Sequence, residues 1–250
     1  MPSRRRFLGT AASLFAGATL APFATGSTVR RQPDEDGIAP AAKPLSILVL
    51  GGTGFIGPHV IERALLRGHK VTTFNRGSNK GMFGDGVEEL FGDRDANVGT
   101  GLTSLEGDRT WDVVIDNSCY VPRHAQDSAE LLKDRTGRYL FTSTVAVYDY
   151  DAVPPSNGVH IADHEAPLLP NPEPPTERVT GSTYGPLKAE CDRIVMAVFG
   201  ARATVVRPCY IVGPGDTTDR FTYWIERLHR GGDVVCPASP GHMVNWIDVR

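Results

Sequence analysis

The segment Ile47-Leu48-Val49-Leu50-Gly51-Gly52-Thr53-Gly54-Phe55-Ile56-Gly57 passes from an unbroken apolar run into a turn punctuated by glycine. A short apolar run closed by glycines reads as a buried strand. Taken as Gly52-x-Gly54-x-x-Gly57, the glycines permit a tight turn, close approach of backbone N–H groups to phosphate oxygens, and close packing of the next helix on the strand. Val60-Ile61-Glu62-Arg63-Ala64-Leu65-Leu66 supplies that helix by its periodicity, and Gly68 ends it. A bound anion sits at the positive N-terminus of such a helix. Gly51, Gly52, Thr53, Gly54, Phe55, Ile56 and Gly57 are therefore the expected contacts of a dinucleotide pyrophosphate. The competing reading is a strand-to-helix turn that binds nothing.

From Leu45 onward, short β-type runs alternate with helical ones, the pattern of a parallel sheet covered on both faces. Strands are predicted at 45–50, 70–74, 87–91, 112–116, 138–143 and 203–207, with helices at 55–67, 123–134, 182–199 and 219–230. The fold class is α/β, a doubly wound parallel sheet of the Rossmann type. Ligands of such sheets lie beyond the carboxyl ends of the strands, so the loops after residues 50, 74, 91, 116, 143 and 207 are the expected site.

With 250 residues, 40% hydrophobic and 22% charged, the chain can bury a full core, and a net charge of −3 gives no electrostatic footprint for nucleic acid. A small-molecule partner is expected instead. Cys119, Cys191, Cys209 and Cys236 show no Cys-x-x-Cys spacing, so neither a zinc site nor a dense disulfide framework is indicated. A structural disulfide is compatible with an oxidising compartment. Ser3-Arg4-Arg5-Arg6-Phe7-Leu8 opens an apolar stretch that ends at Ala24 and resembles a twin-arginine export signal. This divides the chain into a signal over 1–28 cut near Ala21 to Ala24, a polar linker over 29–43, and a nucleotide-binding domain over 44–250. A periplasmic or extracellular location follows, membrane-tethered if the signal is uncleaved. A plain membrane anchor is the alternative, at the lower length limit for spanning.

After the second strand, an acidic residue would accept the ribose 2′-hydroxyl of NAD, yet no Asp or Glu lies between Glu62 and Asp85. Asn75 and Arg76 stand there instead, and a guanidinium suits the extra phosphate of NADP. The cofactor is NAD or NADP, with NADP favoured; Arg76 stacked on adenine or lying in solvent is the bland reading. Asp93 is read either as an acceptor for the adenine amino group or as a turn aspartate. Asp116, Asn117 and Ser118 are expected to line the cofactor's ribose.

Tyr184 and Lys188, four apart at the start of a predicted helix, share one helix face. A free phenol has a pKa near ~10, so acid/base work at neutral pH calls for cations beside it, here an ammonium and an oxidised nicotinamide ring. Every tenfold gain in the tyrosinate form requires roughly 1.4 kcal/mol of such attraction.

The glycine turn at 51–57, Phe141-Thr142-Ser143-Thr144-Val145-Ala146-Val147-Tyr148, the Tyr184/Lys188 pair and Arg207-Pro208-Cys209-Tyr210-Ile211-Val212-Gly213-Pro214-Gly215 occur in an order that resembles the short-chain dehydrogenase/reductase superfamily. The resemblance is to its extended branch of NAD-dependent epimerases and dehydratases, over about residues 45 to 250. It implies that Thr144, with Ser143 as the neighbouring candidate, polarises the substrate oxygen. It further implies that Tyr184 is the acid/base, that Lys188 also holds the nicotinamide ribose, and that Pro208 and Cys209 flank the cofactor. A homodimer is a compatible assembly. The expected activity is hydride transfer on a sugar, sugar nucleotide or small carbonyl or alcohol compound; a non-catalytic dinucleotide-binding scaffold is the alternative. RNA binding, as in some atypical relatives, sits poorly with the acidic balance.

Two departures from the family stand out. Tyr210 occupies a position where members commonly carry Asn, and the chain stops where the carboxyl-terminal substrate lobe begins, which implies an incomplete lobe. Between Tyr148 and Thr183, a proline-rich acidic stretch is expected to form a loop over the site or a surface excursion. Its His160-Ile161-Ala162-Asp163-His164-Glu165 has metal-like spacing without a helix to present it, and no metal is assigned. Asp216, Arg220, Tyr223 and Trp224 follow the Gly213-Pro214-Gly215 turn; Arg220 is read either as a contact for a substrate phosphate or carboxylate or as a surface ion pair.

Overall fold

The computed structural model describes residues 37–154, 162–235 and 244–250. The expected export signal and residues 29–36 of the linker lie outside the described residues, as do Pro155, His160 and Cys236.

Among the described residues, six strands form one parallel sheet: β1 (Ser46–Leu50), β2 (Lys70–Asn75), β3 (Val87–Phe91), β4 (Trp111–Asp116), β5 (Thr136–Thr142) and β6 (Ala203–Val206). Their order is β3-β2-β1-β4-β5-β6, so the chain reverses direction across the sheet between β1 and β4. This is the doubly wound arrangement expected, with its crevice at the reversal point. Helices α1 (Gly57–Leu66), α2 (Pro122–Leu132) and α3 (Tyr184–Phe199) cover the sheet. Beyond β6 come β7 (Tyr210–Val212), α4 (Thr222–Arg230) and β8 (Trp246–Asp248), with β7 and β8 paired in parallel.

The period of two along β1 divides the core. Leu48 and Leu50 join Ala125, Ala129 and Leu132 of α2 and Cys191, Val195 and Phe199 of α3. Ile47 and Val49 join Ile61 and Ala64 of α1 on the other face. Burial of each large aliphatic side chain contributes about 1.5–3 kcal/mol. The linker's last residues reach this body, since Ala41 N–H donates to the Arg67 carbonyl at 2.9 Å.

The structure differs from the sequence expectation at element edges. α1 starts at Gly57, because residues 51–56 are spent on the turn. α4 starts at Thr222, just after Asp219, whose positive φ of 51° does not belong to a helix. β7 and β8, three residues each, were not predicted. The described part of the proline-rich stretch packs on the body, with Ala162, Ala166 and Leu168 against Val147, Tyr148 and Ala189. Leu169 N–H donates to the Val147 carbonyl at 2.8 Å, and Arg193 of α3 donates to the Leu169 carbonyl at 2.5 Å. His164 is exposed beside Glu165.

Candidate active site

Each glycine of the turn has its own physical reason. Gly51 has φ +81°, and a Cβ there would lie 2.4 Å from Ser118 Cβ. A Cβ on Gly57 would lie 2.2 Å from the Gly52 carbonyl oxygen, so Gly51 lets the loop after β4 approach and Gly57 lets the helix start against the turn. Gly54 is different: it is exposed, and a Cβ there meets nothing within 4 Å. The chain's own packing does not require glycine at 54. α1 follows with no side-chain cap and no acidic residue in its first turn, which leaves its N-terminal amides available and its positive end uncompensated.

A cavity of about 680 Å³ is lined by Gly51, Gly54, Phe55, Ile56 and Gly57 of this turn and by Asn117 and Ser118 after β4. Thr142, Ser143 and Thr144 at the end of β5, Tyr184 and Lys188 of α3, and Pro208 and Cys209 after β6 complete it together with Tyr120, Tyr150, Tyr210 and Arg220. The structure thus brings together most of the sequence-predicted positions. Gly52, Thr53, Asn75, Arg76, Asp93 and Asp116 are outside this lining.

Their positions have physical causes. β2 and β3 form one edge of the sheet, on the far side of β1 from β4, so the loops that follow them do not reach this cavity. Gly52 is buried under Ile61 and Gly57. Asn75 turns inward, its Oδ1 accepting from Thr53 N–H at 3.3 Å and Thr53 Oγ1 at 3.4 Å. Arg76 is exposed. Asp93 makes a turn bond, with Oδ1 accepting from Asp95 N–H at 2.9 Å.

Asp116 corrects the expectation of a ribose contact. It is fully buried and takes a bidentate pair from Arg94 at 2.8 and 2.9 Å and a bond from Tyr139 Oη at 2.7 Å. Burial pushes its carboxyl up, but the Arg94 charge and these bonds hold it below the usual range. It also accepts from Ser118 N–H at 3.3 Å, and so supports the residue that abuts Gly51. Arg94 was missed at the sequence level because a charged loop residue reads as solvated until its partner, 22 positions away, is known.

Lys188 is 2% exposed, with Nζ donating to the carbonyls of Cys119 at 2.7 Å and Thr142 at 2.8 Å. It also lies 4.0 Å from the centroid of Phe141. Burial lowers its pKa, opposed by the nearby Cys119, Cys191, Asp116 and Asp192. Tyr184 is half-buried, and burial raises its phenol; the nearby Thr144 hydroxyl and the charge of Arg220 pull the other way. The Lys188 ammonium is turned to the two carbonyls.

Asn117 Oδ1 accepts from Thr142 Oγ1 at 2.7 Å, while its Nδ2 is buried with no partner among the described residues. Tyr120 and Tyr150 carried no sequence signal, since isolated tyrosines in loops have no period. Tyr210 leans on Trp246 with ring centroids 5.6 Å apart.

The sequence model of the NAD dependent epimerase/dehydratase family matches residues 47–250. A curated relative, the chloroplast stem-loop binding protein of 41 kDa b of Arabidopsis thaliana, is 25% identical over 217 residues, covering 80% of this chain and 50% of the relative. The chain therefore spans half of that relative's length. Among solved structures it is similar to the dTDP-glucose 4,6-dehydratase of Bacillus anthracis in complex with NAD, at a TM-score of 0.59 and 19% identity over 82% of this chain and 68% of that one. The Bordetella bronchiseptica enzyme WbmG in complex with NAD gives a TM-score of 0.58 at 15% identity, covering 84% and 73%. At such identities the likeness is one of fold. The family match over most of the chain agrees with that fold, and the chain belongs to the NAD dependent epimerase/dehydratase family.

Proposed function

We propose that this chain is an NAD(P)-dependent enzyme that moves a hydride and a proton at an alcohol or carbonyl carbon of a sugar, sugar nucleotide or other small substrate. The observation that carries the reading is a single cavity bounded both by the glycine turn and by Thr144, Tyr184 and Lys188. The residues present fit a dinucleotide. The open side of Gly54 and the uncapped amides of α1 receive its pyrophosphate. Lys188 has two ammonium donors on carbonyls and a third for ribose hydroxyls, and Asn117 Nδ2 offers another donor without a partner.

Thr144 then donates to the substrate oxygen, and Tyr184 gives or takes its proton. With its phenol raised, Tyr184 enters as a proton donor; to act as a base it needs positive charge beside it, part of which Arg220 supplies. A bound dinucleotide contributes hydride acceptance and return. At the adenosine end, the exposed Arg76 and the lack of an acid between Glu62 and Asp85 favour NADP over NAD. If the chain is exported, free dinucleotide is scarce around it, so the active form keeps its cofactor through turnover, as epimerase chemistry permits.

Titration with NAD and NADP, followed by tryptophan fluorescence, tests the reading alongside Tyr184→Phe. Both proteins are expected to bind, NADP more tightly, while the variant loses turnover on a panel of sugar nucleotides. Binding of neither dinucleotide contradicts the reading; binding without turnover by either protein favours a non-catalytic scaffold.

A second reading, binding of RNA, draws on the stem-loop binding stated in the name of the Arabidopsis thaliana relative. Exposed Tyr223 and the basic last turn of α4, with Arg227, His229 and Arg230, offer a surface for it, against a net charge of −3. Salt-sensitive binding of an RNA hairpin supports this reading, and its absence at low salt removes it.

A further inference from the structure

α3 carries Tyr184, Lys188 and Asp192 at intervals of four, so the three side chains share one face. The first two line the cavity. Asp192 lies behind it, its side chain 1% exposed, and its Oδ2 accepts from Arg207 Nε at 2.9 Å. Arg207 also donates from Nη1 to Tyr148 Oη at 3.1 Å, with its guanidinium 5.0 Å from the centroid of that ring. Three contacts thus fix the guanidinium.

The backbone on either side of Arg207 does something more specific. Ser143 N–H donates to the Val206 carbonyl at 2.7 Å, and Val145 N–H donates to the Pro208 carbonyl at 3.1 Å. Thr144 is held between these two bonds, by the two neighbours of Arg207. We propose that Asp192 and Arg207 are a positioning pair that ties the helix bearing Tyr184 to the strand end bearing Thr144, and so sets where the two hydroxyls stand in the cavity. Neither residue lines the cavity, so neither is catalytic. The inference rests on the reading of Thr144 and Tyr184 as partners in one site.

Stability alone is a poor reason for this pair. Burying two charges offsets much of their attraction, and an apolar pair of similar volume is often as stable. Burial in fact raises the Asp192 carboxyl despite Ser143 and Arg207. What an apolar pair does not supply is a directional link between α3 and the segment around Thr144.

The test reads the Tyr184 titration by nuclear magnetic resonance of carbon-13-labelled tyrosine, assigned with Tyr184→Phe. Tyr120 and Arg220 also act near this phenol and stay unchanged in every variant. Thr144→Val is expected to move the titration of Tyr184 upward, because the nearby hydroxyl that favours the charged form is lost. Arg207→Lys and Asp192→Asn are expected to move it in the same direction. The double variant Thr144→Val/Arg207→Lys is expected to go no further than Thr144→Val alone. If Asp192→Asn fails to fold, Arg207→Lys, which keeps the charge, carries the test. An unmoved Tyr184 in well-folded Arg207→Lys, or full additivity in the double variant, overturns the proposal. An unmoved Tyr184 in Thr144→Val overturns the underlying reading of the two hydroxyls, and the pairing with it.

Discussion

At the scale of single residues, the glycines separate folding from binding. Gly57 has no room for a methyl group, whereas Gly54 has room and no strained φ. Gly57→Ala is expected to cost about 1–3 kcal/mol or more in urea unfolding, as overpacking does. Gly54→Ala is expected to change stability by less than about 0.5 kcal/mol. Its dinucleotide affinity is expected to fall at least about tenfold, roughly 1.4 kcal/mol, because the new methyl occupies the approach to the backbone amides. Unchanged affinity in Gly54→Ala would mean that the turn serves packing only. The glycine spacing was legible in the sequence, but the division of labour among the glycines was not, since it depends on Ser118, Ile61 and the Gly52 backbone standing where the fold puts them.

At the scale of elements, the Arg94–Asp116 pair joins the loop after β3 to the end of β4, with Tyr139 of β5 and Ser128 of α2 attached. Removing one charge of a buried pair strands the other, so Asp116→Asn is expected to cost about 3–5 kcal/mol. The sign with pH follows from the lowered carboxyl. An Asp with a depressed folded-state pKa contributes stability above its ordinary value of 3.8, and loses it as pH falls through the folded-state value. The gap between wild type and variant in urea unfolding is expected to be full at neutral pH and to shrink in strong acid. A gap independent of pH down to the acid limit would contradict this account of the pair. Short β-type runs announced all six strands of the main sheet. The pairing that braces its crevice, like the three-residue β7 and β8, depends on partners distant in sequence and gave no local signal.

At the scale of the whole molecule, the order β3-β2-β1-β4-β5-β6 puts the crevice at β1 and β4, and the cavity extends from there across the ends of β5 and β6. The alternation of strands and helices was enough to foresee this sheet, because parallel strands need covered crossovers. Which loops face the cavity was foreseen only in part: those after β1, β4, β5 and β6 do, while those after β2 and β3 lie to the other side. The central claim is that a dinucleotide crosses this crevice with its reactive ring beside Tyr184. A crystal structure with NADP or NAD bound measures that directly. The account expects the pyrophosphate over Gly54 at the N-terminus of α1, the ribose hydroxyls on Lys188 and the nicotinamide ring against the Tyr184 hydroxyl. A dinucleotide bound elsewhere, or a nicotinamide ring remote from Tyr184, would contradict it.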